Sequence, residues 1–124
     1  MERSLLLVDD DLDFRYMVRK ALCSIGGFVI VEASDGLEAL QKYYEGEEKF
    51  DIVLSDTHMP RMTGPTLRTE LASRGYQGQF FLMSGLASAS DGVDIVKPLM
   101  PQVLRATLAV NLREQGKEPS PVMV

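Results

Sequence analysis

Cysteine, histidine and tryptophan are nearly missing from this chain. Its 124 residues include one cysteine, one histidine and no tryptophan. A lone cysteine cannot form a disulfide within the chain, and a chain of this length buries about two thirds of its unfolded surface. The core therefore needs neither disulfides nor a metal scaffold. Cys23 lies in an apolar helical pattern, which predicts a thiol buried in the core.

Long apolar runs are also absent. No run approaches the roughly 18 residues of a membrane span, and the start of the chain, Met1–Ser4, lacks the charged region and apolar stretch of a signal peptide. The chain also has little cysteine, as proteins of reducing compartments do. We therefore expect a cytoplasmic protein that makes no contact with a membrane.

Basic residues are the minority charge. Thirteen Lys and Arg against eighteen Asp and Glu give a formal net charge of −5 at pH 7. A chain with this charge repels a phosphate backbone, so direct binding to nucleic acid is not expected. The hydrophobic share of 45% and the charged share of 25% are typical of one globular domain.

Short apolar runs alternate with segments of helical spacing. Each run predicts a buried strand because its apolar residues are continuous. The runs are Leu5–Val8, Phe28–Val31, Ile52–Leu54, Phe80–Met83 and Val93–Val96. The predicted core faces of the helices between them are Phe14, Met17, Val18, Ala21, Leu22 and Ile25, then Leu37, Leu40 and Tyr44, then Leu67 and Leu71. Such alternation predicts an α/β fold, with a parallel sheet covered by helices on both faces.

Acidic residues stand at the ends of the first and third predicted strands. Asp9 and Asp10 follow the first strand, and Asp56 ends the third. In the flavodoxin-like strand order these two strands are neighbours, so the three carboxylates converge at one sheet edge. Two carboxylates about 4 Å apart repel by about 4 kcal/mol at an effective dielectric near 20, which a divalent cation such as Mg²⁺ would reverse. Asp11 and Asp13 are instead expected to serve the first helix N-terminus.

The fourth and fifth strands end in a hydroxyl and a cation at the same edge. Ser84 ends the fourth strand, and Lys97 follows the fifth. Taken singly they are typical of a turn residue and a surface charge, but their joint placement predicts a phosphoryl site. A carboxylate there can act as a nucleophile toward phosphorus, while Mg²⁺ and a lysine neutralise the phosphoryl oxygens.

Five segments, in this order and at strand ends, resemble the receiver domains of two-component response regulators, the CheY-like family. They are Leu5–Asp11, Ala33–Leu40, Asp51–Gly64, Phe81–Gly85 and Val96–Leu99. The resemblance implies a flavodoxin-like, doubly wound, five-stranded parallel sheet in the order 2-1-3-4-5. It also predicts a receiver domain over residues 1–112, followed by a flexible tail over 113–124.

The resemblance implies roles for the acidic residues. Asp56 would accept the phosphoryl group. Asp10 and Asp56, with the backbone carbonyl of His58, would bind Mg²⁺, and Asp9 would position the metal. The His58 side chain would tune hydrolysis of the acyl phosphate rather than act as a general base.

The resemblance also implies the rest of the site and its partners. Ser84 would be the switch hydroxyl, Lys97 would contact the phosphate, and the bond between Lys97 and Pro98 would be cis. The donor would be a histidine kinase or a histidine phosphotransfer protein, and the downstream partner would be a protein not identifiable from the sequence. The chain would then be a signalling phosphoacceptor, a monomer or weak dimer, that catalyses only its own phosphorylation and dephosphorylation.

Two features depart from the family pattern. Only residues 85–92 separate Ser84 from the fifth run, fewer than the roughly 10 to 12 residues of a helical crossover. The fourth helix is therefore predicted to be reduced or absent. Asp94 stands three residues before Lys97, where the family carries its switch aromatic, and no aromatic residue follows Phe81. We expect the phosphoryl chemistry to be retained and the readout at this surface to differ.

Three other functions are weaker alternatives. An interaction module that works without phosphorylation fits the altered readout. A phosphatase with an aspartyl nucleophile needs a second acid two residues beyond Asp56, where His58 stands. A flavodoxin-like cofactor binder needs a glycine-rich loop after the first strand, where Asp9–Asp11 stand. Whether the chain is a stand-alone receiver or part of a larger regulator or hybrid kinase is left open, with Met1 and the polar tail favouring a short protein.

Overall fold

Strands and helices alternate along the chain, as the sequence predicts. The computed structural model describes residues 2–46 and 49–84, and the backbone of residues 95–96. The strands are β1 (Arg3–Val8), β2 (Phe28–Ala33), β3 (Ile52–Asp56), β4 (Gln79–Ser84) and β5 (Ile95–Val96). The helices are α1 (Leu12–Ile25), α2 (Gly36–Glu45) and α3 (Gly64–Ser73).

The strands form one parallel sheet in the order β2-β1-β3-β4-β5. This order confirms the predicted 2-1-3-4-5 arrangement. β1 lies between β2 and β3, so the connection from β1 to β2 and the connection from β2 to β3 cross the sheet in opposite directions. In open sheets of this kind the crevice for ligands lies at the carboxyl ends of the strands where the order reverses.

Both faces of the sheet are covered, and this explains the continuous apolar runs. Successive strand residues point to opposite faces. Leu5 and Leu7 of β1 pack with Val18 and Leu22 of α1 on one face. On the other face, Leu6 and Val8 pack with buried residues of α2 and α3, namely Ala39, Leu40, Leu67 and Leu71.

The ends of α1 follow the polar and glycine pattern of the sequence. The Asp11 carboxylate accepts from the amides of Asp13 and Phe14 at 3.0 and 3.2 Å, so Asp11 is the N-cap. Asp13 lies in the first turn. The predicted helix-terminal role of both acids is confirmed. The helix ends at Ile25, and its C-cap is Gly26, whose φ of 84° is a conformation that glycine adopts without strain.

The predictions for Cys23 and Met17 in α1 are wrong. The Cys23 side chain is exposed, and Met17 is also exposed. Neighbouring helical residues point about 100° apart, so the residue after buried Leu22 leaves the core face. The helix buries Val18 and Leu22 and partly buries its other predicted core residues, Phe14, Ala21 and Ile25.

The predicted core face of α2 is also partly wrong. Leu40 is buried, but Leu37 and Tyr44 are 42% and 61% exposed. The helix turns Ala39 and Leu40 inward instead, with Tyr43 partly buried against the same cluster. Ala39 is small, so the helix backbone can approach the sheet at this position. The spacing of the larger apolar residues does not predict this face.

β2 is less buried than its continuous apolar run predicts. Val29 is exposed, and Phe28, Ile30 and Val31 are only partly buried. The reason is its place at the edge of the sheet, where one side of the strand has no neighbour.

Several predictions fall on residues outside those described. They concern the shortened fourth helix over residues 85–92, Asp94 at the aromatic position, the bond between Lys97 and Pro98, and the tail over 113–124. Within residues 2–46 and 49–84, none of the helices has the length and apolar character needed to cross a membrane.

Candidate functional site

The register of the sheet brings the acidic residues together. Val8 of β1 pairs with Ser55 of β3. The next residues, Asp9 and Asp56, therefore stand side by side, because parallel neighbours are about 4.8 Å apart. One carboxylate oxygen each from Asp9, Asp10 and Asp56 lies within 4.8 Å of the other two. The predicted convergence of these three carboxylates is observed.

The three acids differ in exposure, which decides what they can do. Asp9 and Asp56 are buried, whereas Asp10 is exposed. The Asp9 Oδ1 atom accepts from the Asp11 amide at 3.0 Å, which fixes the orientation of this carboxylate. The cluster therefore has a buried side, at Asp9 and Asp56, and a side open to water, at Asp10.

Arg15 contacts the backbone of the acidic cluster, a role that the sequence patterns did not indicate. Its Nη1 atom donates to the backbone carbonyl of Asp9 at 2.7 Å, and its Nε atom donates to Glu32 at 2.8 Å. Burial alone would raise the pKa of Glu32, but the guanidinium groups of Arg19 and Arg15 lower it below its ordinary value. Glu32 therefore remains ionised and holds Arg15 against the strand end.

The donor set fits a magnesium ion. Mg²⁺ prefers oxygen ligands, keeps several waters and is commonly held by one or two carboxylates. The cluster offers carboxylate oxygens on its inner side and access to water at Asp10. Three carboxylates this close repel one another, and a divalent cation removes that repulsion.

The hydroxyl predicted for the site lies at the end of the neighbouring strand. Asp56 of β3 pairs with Met83 of β4. Thr57 donates to the Met83 carbonyl through its amide at 2.9 Å and its hydroxyl at 2.7 Å, so the two strand ends are tied together. Ser84 is the next residue and is buried. The structure therefore places Ser84 at the same sheet edge as Asp56.

Two predicted site residues are placed less fully. Ser84 pairs with Val96 of β5, and Lys97 follows Val96 but lies outside the described residues. His58 comes two residues after Asp56, and its side chain is exposed. The roles predicted for Lys97 and for the His58 carbonyl stay predictions.

The loop after Asp56, residues 57–63, closes on its own start. The Gly64 amide donates to the Thr57 carbonyl at 2.9 Å. A Cβ atom on Gly64 would lie 2.4 Å from the Asp56 carbonyl oxygen and 2.7 Å from the Leu82 Cδ2 atom. Only glycine allows this approach, and the motif that contains Gly64 does not by itself indicate this steric requirement.

Comparisons with known proteins indicate a family. A family model described as "Response regulator receiver domain" matches residues 5–109. The chain is 31% identical over 97 residues to the chemotaxis protein CheY of Bacillus subtilis, covering 78% of this chain and 79% of CheY. It is 40% identical over 84 residues to the sensor kinase CckA of Brucella abortus, covering 68% of this chain and 9% of the kinase.

A solved structure shows the same fold. The chemotaxis response regulator CheY4 of Vibrio cholerae superposes with a TM-score of 0.68 at 28% sequence identity, covering 87% of this chain and 97% of that one. The family match, the strand order and the acidic cluster lead to one assignment. The chain belongs to the response regulator receiver domain family of two-component signalling.

Proposed function

We propose that this chain accepts a phosphoryl group on Asp56 from a phosphohistidine donor in a Mg²⁺-dependent reaction, and that the product switches its partner interactions. The observation that carries the proposal is the convergence of Asp9, Asp10 and Asp56 at the end of β3. Family membership supports it, because the relatives include CheY and a sensor kinase.

The chain's own residues supply the nucleophile and the surroundings of the phosphoryl group. An Asp56 carboxylate oxygen attacks phosphorus in line, the new O–P bond forms, and the P–N bond to the donor imidazole breaks. The imidazole nitrogen leaves with that electron pair and takes a proton. Ser84 and Lys97 are proposed to donate hydrogen bonds to the phosphoryl oxygens. Bound Mg²⁺, held by Asp10 and Asp56 and positioned by Asp9, would neutralise charge on those oxygens.

The proposed reaction modifies the chain itself. It needs no separate substrate pocket, since Asp56 is both the nucleophile and the group that is modified. We propose that the chain catalyses only its own phosphorylation and dephosphorylation, and so is a signalling switch rather than an enzyme acting on other molecules.

A small phosphodonor tests the proposal without a cognate kinase. Incubation of the full chain with an acyl phosphate and Mg²⁺ is expected to add the mass of one phosphoryl group, measured by intact-protein mass spectrometry. The same incubation with a chelator in place of Mg²⁺ is expected to add none. If no adduct forms in the presence of Mg²⁺, the proposal is wrong and a phosphorylation-independent interaction module becomes the better reading.

A protein donor needs a surface that borders the site, and α1 offers one. Leu12 and Tyr16, four residues apart on one face of α1, are 67% and 59% exposed, and are here called the α1 patch. The helix begins at Leu12, directly after the acidic residues. We propose that the donor, a histidine kinase or histidine phosphotransfer protein, docks on the α1 patch.

Tyr16→Ala is expected to separate the two kinds of donor. It should slow phosphotransfer from a phosphohistidine protein about tenfold, because exposed tyrosines are frequent anchors of interfaces. Labelling by a small acyl phosphate should be unchanged. The matched control is Tyr44→Ala, which removes an equally exposed tyrosine from the C-terminal end of α2. Equal slowing by both variants, or no slowing by Tyr16→Ala, would contradict docking on the α1 patch.

A further inference from the structure

An ion pair ties the 57–63 loop to the start of α2. The Nε and Nη2 atoms of Arg61 donate to the Oδ2 atom of Asp35 at 2.8 and 2.5 Å. The other carboxylate oxygen of Asp35 accepts from the Glu38 amide at 2.9 Å, which makes Asp35 the N-cap of α2. One buried carboxylate therefore holds both the helix end and the loop.

The Asp35 carboxyl group is ionised at neutral pH. Burial alone would raise the pKa of Asp35, but the hydrogen bond from the Glu38 amide and the Arg61 guanidinium lower it below its ordinary value. The contact is thus a charge-assisted hydrogen bond, which is stronger than a neutral one.

Arg61 stands at the centre of a strained turn. Its φ is 67°, and among the residues that the structure describes it is the one non-glycine residue with a positive φ. The Met62 amide donates to the Pro60 carbonyl at 2.7 Å, which closes a three-residue turn around Arg61. A γ-turn with positive φ at its centre is rare and strained for a residue with a side chain. Interactions elsewhere must therefore hold the turn closed.

Met62 packs the same loop onto α2. A Cβ atom on Gly36, in the first turn of α2, would lie 2.6 Å from the Met62 Cβ atom. Met62 is also partly buried against the hydrophobic core. Two successive loop residues, Arg61 and Met62, thus fix the loop to the beginning of one helix.

These contacts lie close in the chain to the proposed site. The loop starts at Thr57, directly after Asp56, and it closes at the Gly64 amide on the Thr57 carbonyl. Between the two ends lies His58, whose carbonyl the family resemblance makes a magnesium ligand. Because the Gly64 amide joins the end of the loop to its start, the turn around Arg61 lies within a closed segment that begins beside Asp56.

We propose that Arg61 is a positioning residue of the phosphoryl site: its ion pair with Asp35 holds the strained turn closed, and the closed turn places the 57–63 loop for Mg²⁺ binding. The proposal rests on the proposed function. The N-terminal end of α2 would thereby affect Mg²⁺ binding, although α2 contributes none of the three clustered carboxylates.

Two substitutions at Arg61 separate the ion pair from the backbone strain. Arg61→Ala removes the ion pair and keeps the strain, so the turn should open. Arg61→Gly also removes the ion pair, but glycine adopts a positive φ freely, so the turn should stay closed. NMR on the full chain first measures hydrogen exchange of the Met62 and Gly64 amides without metal. A titration with Mg²⁺ alone then measures the affinity of the chain for Mg²⁺.

The two variants are expected to differ in both measurements. Arg61→Ala should speed exchange at Met62 and Gly64 roughly tenfold and weaken Mg²⁺ binding about fivefold or more. Arg61→Gly should stay within about twofold of the wild type in Mg²⁺ binding. Asp35→Asn retains a capping side chain but loses the charge, so it should resemble Arg61→Ala. The double variant Asp35→Asn with Arg61→Ala should be little worse than either single variant, since the two residues act as one pair.

The outcomes also distinguish this proposal from the proposed function. If the wild type does not bind Mg²⁺, the proposed function fails and this inference fails with it. If the wild type binds Mg²⁺ and Arg61→Ala matches it in exchange and affinity, only the positioning role is overturned. Equal impairment of Arg61→Ala and Arg61→Gly would overturn it too, because the strained turn would then have no part.

Discussion

Asp56→Asn is expected to abolish the phosphoryl adduct while the chain remains folded. The substitution keeps the shape of the side chain, but an amide oxygen is a poor nucleophile toward phosphorus and carries no charge for Mg²⁺. Treatment with an acyl phosphate and Mg²⁺, followed by intact mass measurement, should show no added phosphoryl group. Circular dichroism should show the secondary structure of the wild type.

A matched control removes a nearby carboxylate that lies outside the cluster. Asp13 is an acid in the first turn of α1, close in sequence to Asp9 and Asp10. Asp13→Asn should form the same adduct as the wild type. A phosphoryl group on the Asp56→Asn variant, located by fragment masses at another residue, would show that Asp56 is not the acceptor.

Gly64→Ala is expected to cause a large loss of stability. Its Cβ atom would lie 2.4 Å from the Asp56 carbonyl oxygen and 2.7 Å from the Leu82 Cδ2 atom. The Leu82 side chain can adjust, but the Asp56 backbone is held in β3 between β1 and β4. We expect about 3 kcal/mol of destabilisation, near the upper end for overpacking of a close-packed site. Chemical denaturation followed by circular dichroism measures the change.

Gly75→Ala is the control for Gly64→Ala. Gly75 has a φ of 89° and open space where a Cβ atom would stand. Its substitution introduces backbone strain of about 1 to 2 kcal/mol without a steric clash. We expect Gly64→Ala to be the more destabilising variant and to slow adduct formation as well, because the clash displaces the backbone of Asp56, the proposed phosphoacceptor. Wild-type stability of Gly64→Ala would show that the loop accommodates a side chain.

The sequence predicts the sheet well because each central strand is buried on both faces. Successive residues of the run Leu5–Val8 point in turn to the face covered by α1 and to the face covered by α2 and α3. A continuous apolar run therefore predicts a strand in the centre of the sheet. The same rule fails at β2, which lies at the edge. It also fails for α2, where small Ala39 faces the core and the larger Leu37 does not.

The acidic cluster is predictable for a related reason. Asp9, Asp10 and Asp56 follow or end central strands, and parallel strands place such positions at one edge. The support around the cluster is not predictable in this way. Asp35 and Arg61 are 26 residues apart in sequence, and no local pattern indicates that an arginine adopts a positive φ. Such contacts depend on how α2 and the loop pack in three dimensions.

The exposed Cys23 gives the chain a natural position for a spectroscopic reporter. It is the one cysteine of the sequence, so a thiol-reactive dye or spin label attaches at a single place. At 1.5 Å per helical residue, it lies about 16 Å along α1 from Leu12, at the far end of the helix from the carboxylates. A label there would report the binding of another protein to α1 without covering the end of the sheet where the three carboxylates lie.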